Sequence, residues 1–164
     1  MAPLRNELTV AAAWIRVAYG VGAAGLVTLS FRPPFGPSAE RFDGEVTVTR
    51  HGSLWHDAHD RYSWAVPMLL CLLAAVMLLA VAVPRRAPNR GHLVAILFPT
   101  GFLAAMLFGR AGTWTLDGKW APLTPTGVLT ALLSSSLFVL AFAHIMIVWR
   151  QSVRAERQRI GAGV

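Results

Sequence analysis

Four long apolar runs separated by polar segments organise the chain from end to end. The first extends from about Thr9 to Phe31, the second from Trp64 to Val83, the third from about His92 to Gly109 and the fourth from about Gly127 to Trp149. Each is near the length, about 20 residues, that an α-helix needs to cross a bilayer core. The second carries no charge and is stopped by Pro84; its Pro67 falls in the first turn, where a missing N–H is tolerated. Pro99-Thr100-Gly101 interrupts the third run and predicts a kink. The first run has the position of a cleaved signal peptide, but its apolar region is too long and contains Arg16, so a retained helix is expected. The pattern predicts an all-α membrane protein, a four-transmembrane-helix bundle forming a single domain over residues 1–164.

Between the first two runs, residues 32–62 form a segment too patterned to be a linker. Pro33, Pro34 and Pro37 stiffen its start, and Asp43-Gly44 is a strong turn signal. Glu45 to Arg50 alternates and is rich in β-branched residues, which predicts a strand. Ala39 to Phe42 is the expected partner, giving a small β-hairpin in a loop cap. Gly52 permits a further turn, and His56 to Ser63 is expected to begin the second helix. Four spans with a long first outer loop of strand character resemble the claudin-type tetraspan layout. Gly52-Ser53-Leu54-Trp55 resembles the Gly-Leu-Trp signature of that loop with one residue inserted, and the paired loop cysteines are absent. The resemblance implies an architecture and no function.

Composition adds to this picture. Apolar residues make up 55% and charged residues 14% of the chain, and nearly all the charges fall in short segments between the apolar runs. The formal net charge of +7 does not point to nucleic acid, because the basic residues flank apolar runs and no nucleic-acid motif accompanies them. Contact with anionic lipid headgroups accounts for them. The segment with Arg85, Arg86 and Arg90 has no acid, and the tail from 150 to 164 carries Arg150, Arg154, Arg157 and Arg159 against Glu156. The positive-inside rule therefore places both, and with them the N-terminus bearing Arg5 and Glu7, on the cytoplasmic side. The first loop, with Arg32, Arg41, Arg50 and Arg61 against Glu40, Asp43, Glu45, Asp57 and Asp60, lies outside, as does the last loop with Arg110, Asp117 and Lys119. Trp14, Trp55, Trp64, Trp114, Trp120 and Trp149 fall near the interfaces, as an aromatic belt does. Lys119 is the one lysine among 15 basic residues, a bias of GC-rich bacterial genomes, so a bacterial inner membrane is the expected location. The single cysteine, Cys71, excludes an internal disulfide and a cysteine-pair relay.

Four groups are candidates for chemistry. Arg16, His92 and His144 all fall toward the cytoplasmic end of their spans, where an ionisable residue at membrane depth marks a site by default. Two histidines can be axial ligands to haem b, and Arg16 with His144 can hold a quinone carbonyl or a lipid phosphate. The plainer reading has Arg16 snorkelling, His92 sitting in the headgroups and His144 bonding a neighbouring helix. In the outer loop, His56, His59 and Asp60 share a helix face at spacings suited to Zn²⁺ or Cu²⁺, with His51 as a further ligand. The plainer reading makes this segment a hydrogen-bonded loop anchor. Ser134, Ser135 and Ser136 can bond back to the helix or across to a neighbour, and the small residues Gly20, Gly22, Ala23, Ala24 and Gly25 allow close helix packing, Gly20 and Ala24 at small-xxx-small spacing.

No acid lies within a span, and the two halves show no repeat, so a proton-coupled or inverted-repeat transporter is not expected. The expected function is a non-catalytic accessory or assembly subunit of a larger membrane complex, with membrane lipids and another membrane protein, or further copies of itself, as partners and no cofactor. A protein binding quinone, haem or lipid headgroup through the Arg/His cluster is the alternative, and a small oligomeric transporter or channel the second.

Overall fold

A computed structural model describes residues 2–42, 45–60, 64–84, 89–110, 113 and 119–162, with backbone alone at 2–12, 40–42, 154–155 and 158–162. The elements in chain order are α1 (Ala2–Ser30), β1 (Ser38–Phe42), β2 (Glu45–Thr49), α2 (Leu54–His59), α3 (Ala65–Ala82), α4 (Arg90–Phe108) and α5 (Pro125–Ala162). Asp43-Gly44, Arg61, Arg85, Arg86, Trp114 and Asp117 lie outside the described residues.

Four helices are long and apolar enough to cross a membrane: α1 over Ala13–Ser30, all of α3, all of α4, and α5 over Pro125–Val153. They pack as a closed ring in which α1 touches α3 and α5, α3 touches α4, and α4 touches α5 most extensively. Leu26, Met68, Leu72, Leu79, Leu93, Ile96, Leu103 and Leu107 fill the interior. The outside is apolar as well, with Val21, Met77, Phe98 and Val139 each more than three-fifths exposed. Helices apolar all round are stable only when both faces leave water, which is the condition of a multi-pass membrane protein.

Three features depart from the sequence reading. The tail is not a separate segment, because α5 continues through Arg150 to Ala162. The segment after Gly52 does not begin the second span. Leu54–His59 is a helix of its own, started by Ser53, whose hydroxyl accepts from the His56 N–H, and capped by Asp60. Trp64 does not face outward as a belt residue does; it is 4% exposed and packs edge-on against Phe35. As for Pro99, α4 continues past it as one helix, with the Thr100 hydroxyl donating to the Ile96 carbonyl at 2.7 Å.

The end of the bundle opposite the termini is stitched together. Phe35 bridges Leu123, and the Gly36 N–H donates to the Pro122 carbonyl at 2.7 Å. Thr124 stands just before Pro125, the favoured first residue of a helix. Its hydroxyl accepts from the Gly127 N–H at 3.0 Å, as an N-cap does, and donates to the Pro33 carbonyl at 2.6 Å. One side chain therefore caps α5 and ties it to the loop leaving α1. The antiparallel hairpin rises from this loop, in a register running from Ser38 opposite Thr49 to Phe42 opposite Glu45. Its strands pack chiefly on each other, and Glu45, Val46, Thr47 and Val48 are all exposed.

Candidate functional site

At the end of the bundle carrying the termini, α1 and α5 meet through a polar contact. The Tyr19 hydroxyl and His144 Nδ1 share a hydrogen bond of 3.2 Å, and the two rings lie 6.1 Å apart. Tyr19 is 1% exposed. Arg16, half-buried, stands three residues earlier on α1 and so on the same side of that helix. His92 does not join this group. Its Nε2 donates to the Leu78 carbonyl of α3 at 2.9 Å, and its N–H is capped by Asn89. With a carbonyl as acceptor, that Nε2 carries the proton and is not a metal-binding nitrogen. His92 thus fastens the start of α4 to α3, while His144 turns to α1.

Tyr19 escaped the sequence reading. The available signal was a tyrosine inside an apolar span one turn from Arg16, since a buried hydroxyl needs a partner. That the partner would be His144, 125 residues away, had no local signature.

At the opposite end, His56, Asp57, His59 and Asp60 divide between two sides of α2. His56 Nε2 and Asp60 Oδ2 lie 3.4 Å apart on the outer side, 65% and 45% exposed, and His59 is exposed too. Asp57 points inward and is 1% exposed; its Oδ1 accepts from the Gly52 N–H at 2.7 Å, and its Oδ2 is 3.9 Å from His51 Nδ1. His51 lies between the edges of Phe35 and Trp64, with ring separations of 6.0 and 5.8 Å. Burial among these groups pushes its imidazole below the usual 6.5, and the negative charge of Asp57 opposes that shift. Among the described residues, no three His, Cys, Asp or Glu side chains are grouped to hold a metal ion. The arrangement is a loop anchor built on Asp57 and His51. Comparison with protein-family models, curated proteins and solved structures finds no match.

The packing residues are also redistributed. Gly20 meets only Val83 at ordinary contact distance, and Ala24 is exposed. The close approach of α1 to α5 is made by Gly22 and Gly25, where an added Cβ would stand 2.5 Å from Leu137 and 2.9 Å from Leu133. Ser135 and Ser136 bond back to the Ala131 and Leu132 carbonyls. Ser134 is fully buried, with no hydrogen-bond partner among the described residues.

The Trp55 indole N–H donates to the Ser30 hydroxyl at 2.9 Å, and its ring stacks on Phe31. Below it, a cavity lined by Ser30, Arg32, Thr130 and apolar side chains has room for about one water molecule. The loop end is therefore a closed platform, held by Trp55, Thr124 and Asp57, from which the hairpin projects.

Proposed function

We propose that this chain is a non-catalytic accessory subunit of a larger membrane complex, which uses its platform and hairpin to hold or position a partner membrane protein. The observation that carries the reading is the hairpin. It has both faces of β2 exposed, including Val46 at 57% and Val48 at 55%, and it stands on a base fixed by many specific bonds. A two-stranded hairpin with nothing on either face is marginal alone, so a rigid mount for one has its use when something else is bound. The charge pattern supports a plasma membrane location, bacterial by composition, with both termini cytoplasmic and the platform as an extracytoplasmic cap.

The test is purification of the tagged chain from its native membranes in mild detergent, beside a variant in which residues 39–48 are replaced by a Gly/Ser loop. The native chain is expected to retain a different polypeptide at a fixed ratio, and the variant to lose it. Recovery of this chain alone, or a partner indifferent to the hairpin, contradicts the reading.

A second reading rests on the Tyr19–His144 bond beside Arg16: a polar group at membrane depth suited to a quinone carbonyl or a phospholipid headgroup. Quinone or a defined lipid retained at one per chain favours it, and a preparation stripped of both with no loss of stability counts against it.

A further inference from the structure

The hairpin's outer strand has an unusual combination of features. β2 reads Glu45-Val46-Thr47-Val48-Thr49, β-branched at all positions but the first. Proteins blunt exposed strand edges with lysine, proline, bulges or a covering element. β2 contains no lysine, proline or glycine; among the described residues its sheet has two strands only, and no helix packs extensively on it. Among the described residues it is an unprotected edge on a sheet too small to be stable by itself.

We infer that β2 pairs antiparallel with β2 of a second copy, joining two hairpins into one four-stranded sheet across a twofold axis. The sequence of β2 is self-complementary about its centre. With Thr47 opposite its own counterpart, Val46 faces Val48 and Glu45 faces Thr49, so all five residues pair and no like charges oppose one another. Each residue then faces one of the same parity along the strand. Outward-pointing N–H and C=O groups therefore meet their counterparts, and the valines of both copies share one face. Opposed β-branched side chains pack well on a pleated sheet. Pairing through β1 fails the same test, because centring Ser38–Phe42 on itself puts Glu40 opposite Glu40. Centring β2 on Val48 instead sets Val46 opposite Arg50 and pairs fewer residues.

The membrane constrains this symmetry. Copies inserted with the same orientation are related by an axis along the membrane normal, and an antiparallel pair has its twofold axis perpendicular to the sheet. The pairing therefore requires each hairpin to lie across the bundle axis, with its strands parallel to the membrane surface. Self-pairing does not depend on the accessory-subunit reading: it concerns copies of this chain, and it survives or fails whether or not a different polypeptide binds.

The experiment is cysteine cross-linking of the full chain in native membranes, in a Cys71→Ala background. Directly opposed residues have Cα atoms about 4.5–5.5 Å apart, within the disulfide range of roughly 4.4–6.8 Å. Thr47→Cys is expected to give a covalent dimer on mild oxidation, and Thr49→Cys, opposed to Glu45, little or none. Because a substitution can unfold the hairpin, a charge-pairing test accompanies it. Val46→Lys/Val48→Lys and Val46→Glu/Val48→Glu chains, each also carrying Thr47→Cys, should cross-link poorly alone and strongly as a mixed pair. Equal cross-linking at Thr47 and Thr49, or no gain on mixing, overturns the proposal.

Discussion

Gly127 shows how one residue sets the geometry of the loop end. It is buried at the start of α5, and an added Cβ would overlap the Pro34 carbonyl oxygen, a backbone atom that already accepts from the Thr124 N–H at 3.1 Å. Relief requires moving the loop, and with it the Gly36–Pro122 bond. Gly127→Ala is therefore expected to cost about 2–3 kcal/mol, the upper part of the overpacking range, read as a lower midpoint of thermal unfolding in detergent. Gly22→Ala is a useful contrast. Its Cβ meets the end of the Leu137 side chain, which can turn aside, so its effect should be smaller. Equal midpoints for Gly127→Ala and the native chain would mean the stitched loop is not rigid. At His51 the expected effect is pH dependence. Its imidazole is held below 6.5 by burial, so the native state binds fewer protons than the unfolded chain once the pH drops beneath that value. The contribution to stability is complete above about pH 6.5 and is lost as the pH falls toward the lowered native value. Protection of the Gly52 N–H, bonded to Asp57, measured relative to the intrinsic exchange rate at each pH, should fall over that window. In His51→Gln that loss of protection should disappear; an unchanged pH profile there would remove His51 from the account.

At the scale of elements, the helices are held at their ends by single side chains. Asn89 starts α4 by accepting from the His92 N–H at 2.8 Å, and the His92 ring then bonds the Leu78 carbonyl of α3. Asn89→Ala should cost about 1 kcal/mol, with faster exchange over residues 90–93, and Asn89→Asp should restore most of it. No change in exchange would show that packing alone fixes the start of α4. This scale also shows what the sequence can and cannot reveal. The spans were legible because four apolar runs of bilayer length, with Arg16 the one charge inside them, are too much apolar surface for a chain of this size to bury from water; α3 and α4 lie within a few residues of those limits, while α1 starts earlier, at Ala2, and α5 runs on past Arg150. The hairpin was legible from the alternation at Glu45–Arg50, and its partner strand falls within one residue of the expected Ala39–Phe42. The side on which a short helix turns each residue was not legible. His56, His59 and Asp60 have metal-like spacing, yet α2 turns Asp57 inward and leaves those three outside, because Gly52 and His51 supply Asp57 with partners that spacing along α2 does not reveal. Close helix approach was read from the small residues of 20–25, with Gly20 and Ala24 singled out by spacing, and the ring order puts Gly22 and Gly25 of that stretch against α5.

For the whole molecule, two ends of different character share one bundle. The end carrying the termini places Tyr19, His144 and Arg16 among apolar helices, and the loop end is a platform locked by Thr124, Trp55 and Asp57 beneath a projecting hairpin. The proposed accessory-subunit role rests on this hairpin, which among the described residues stands uncovered on a base fixed by specific bonds. Native mass spectrometry of the complex released directly from its own membranes tests it most directly. The account predicts a mass containing copies of this 17.8 kDa chain plus a different polypeptide in fixed ratio, reduced to this chain alone when the hairpin is replaced. A mass made only of whole multiples of this chain and bound lipid would contradict it.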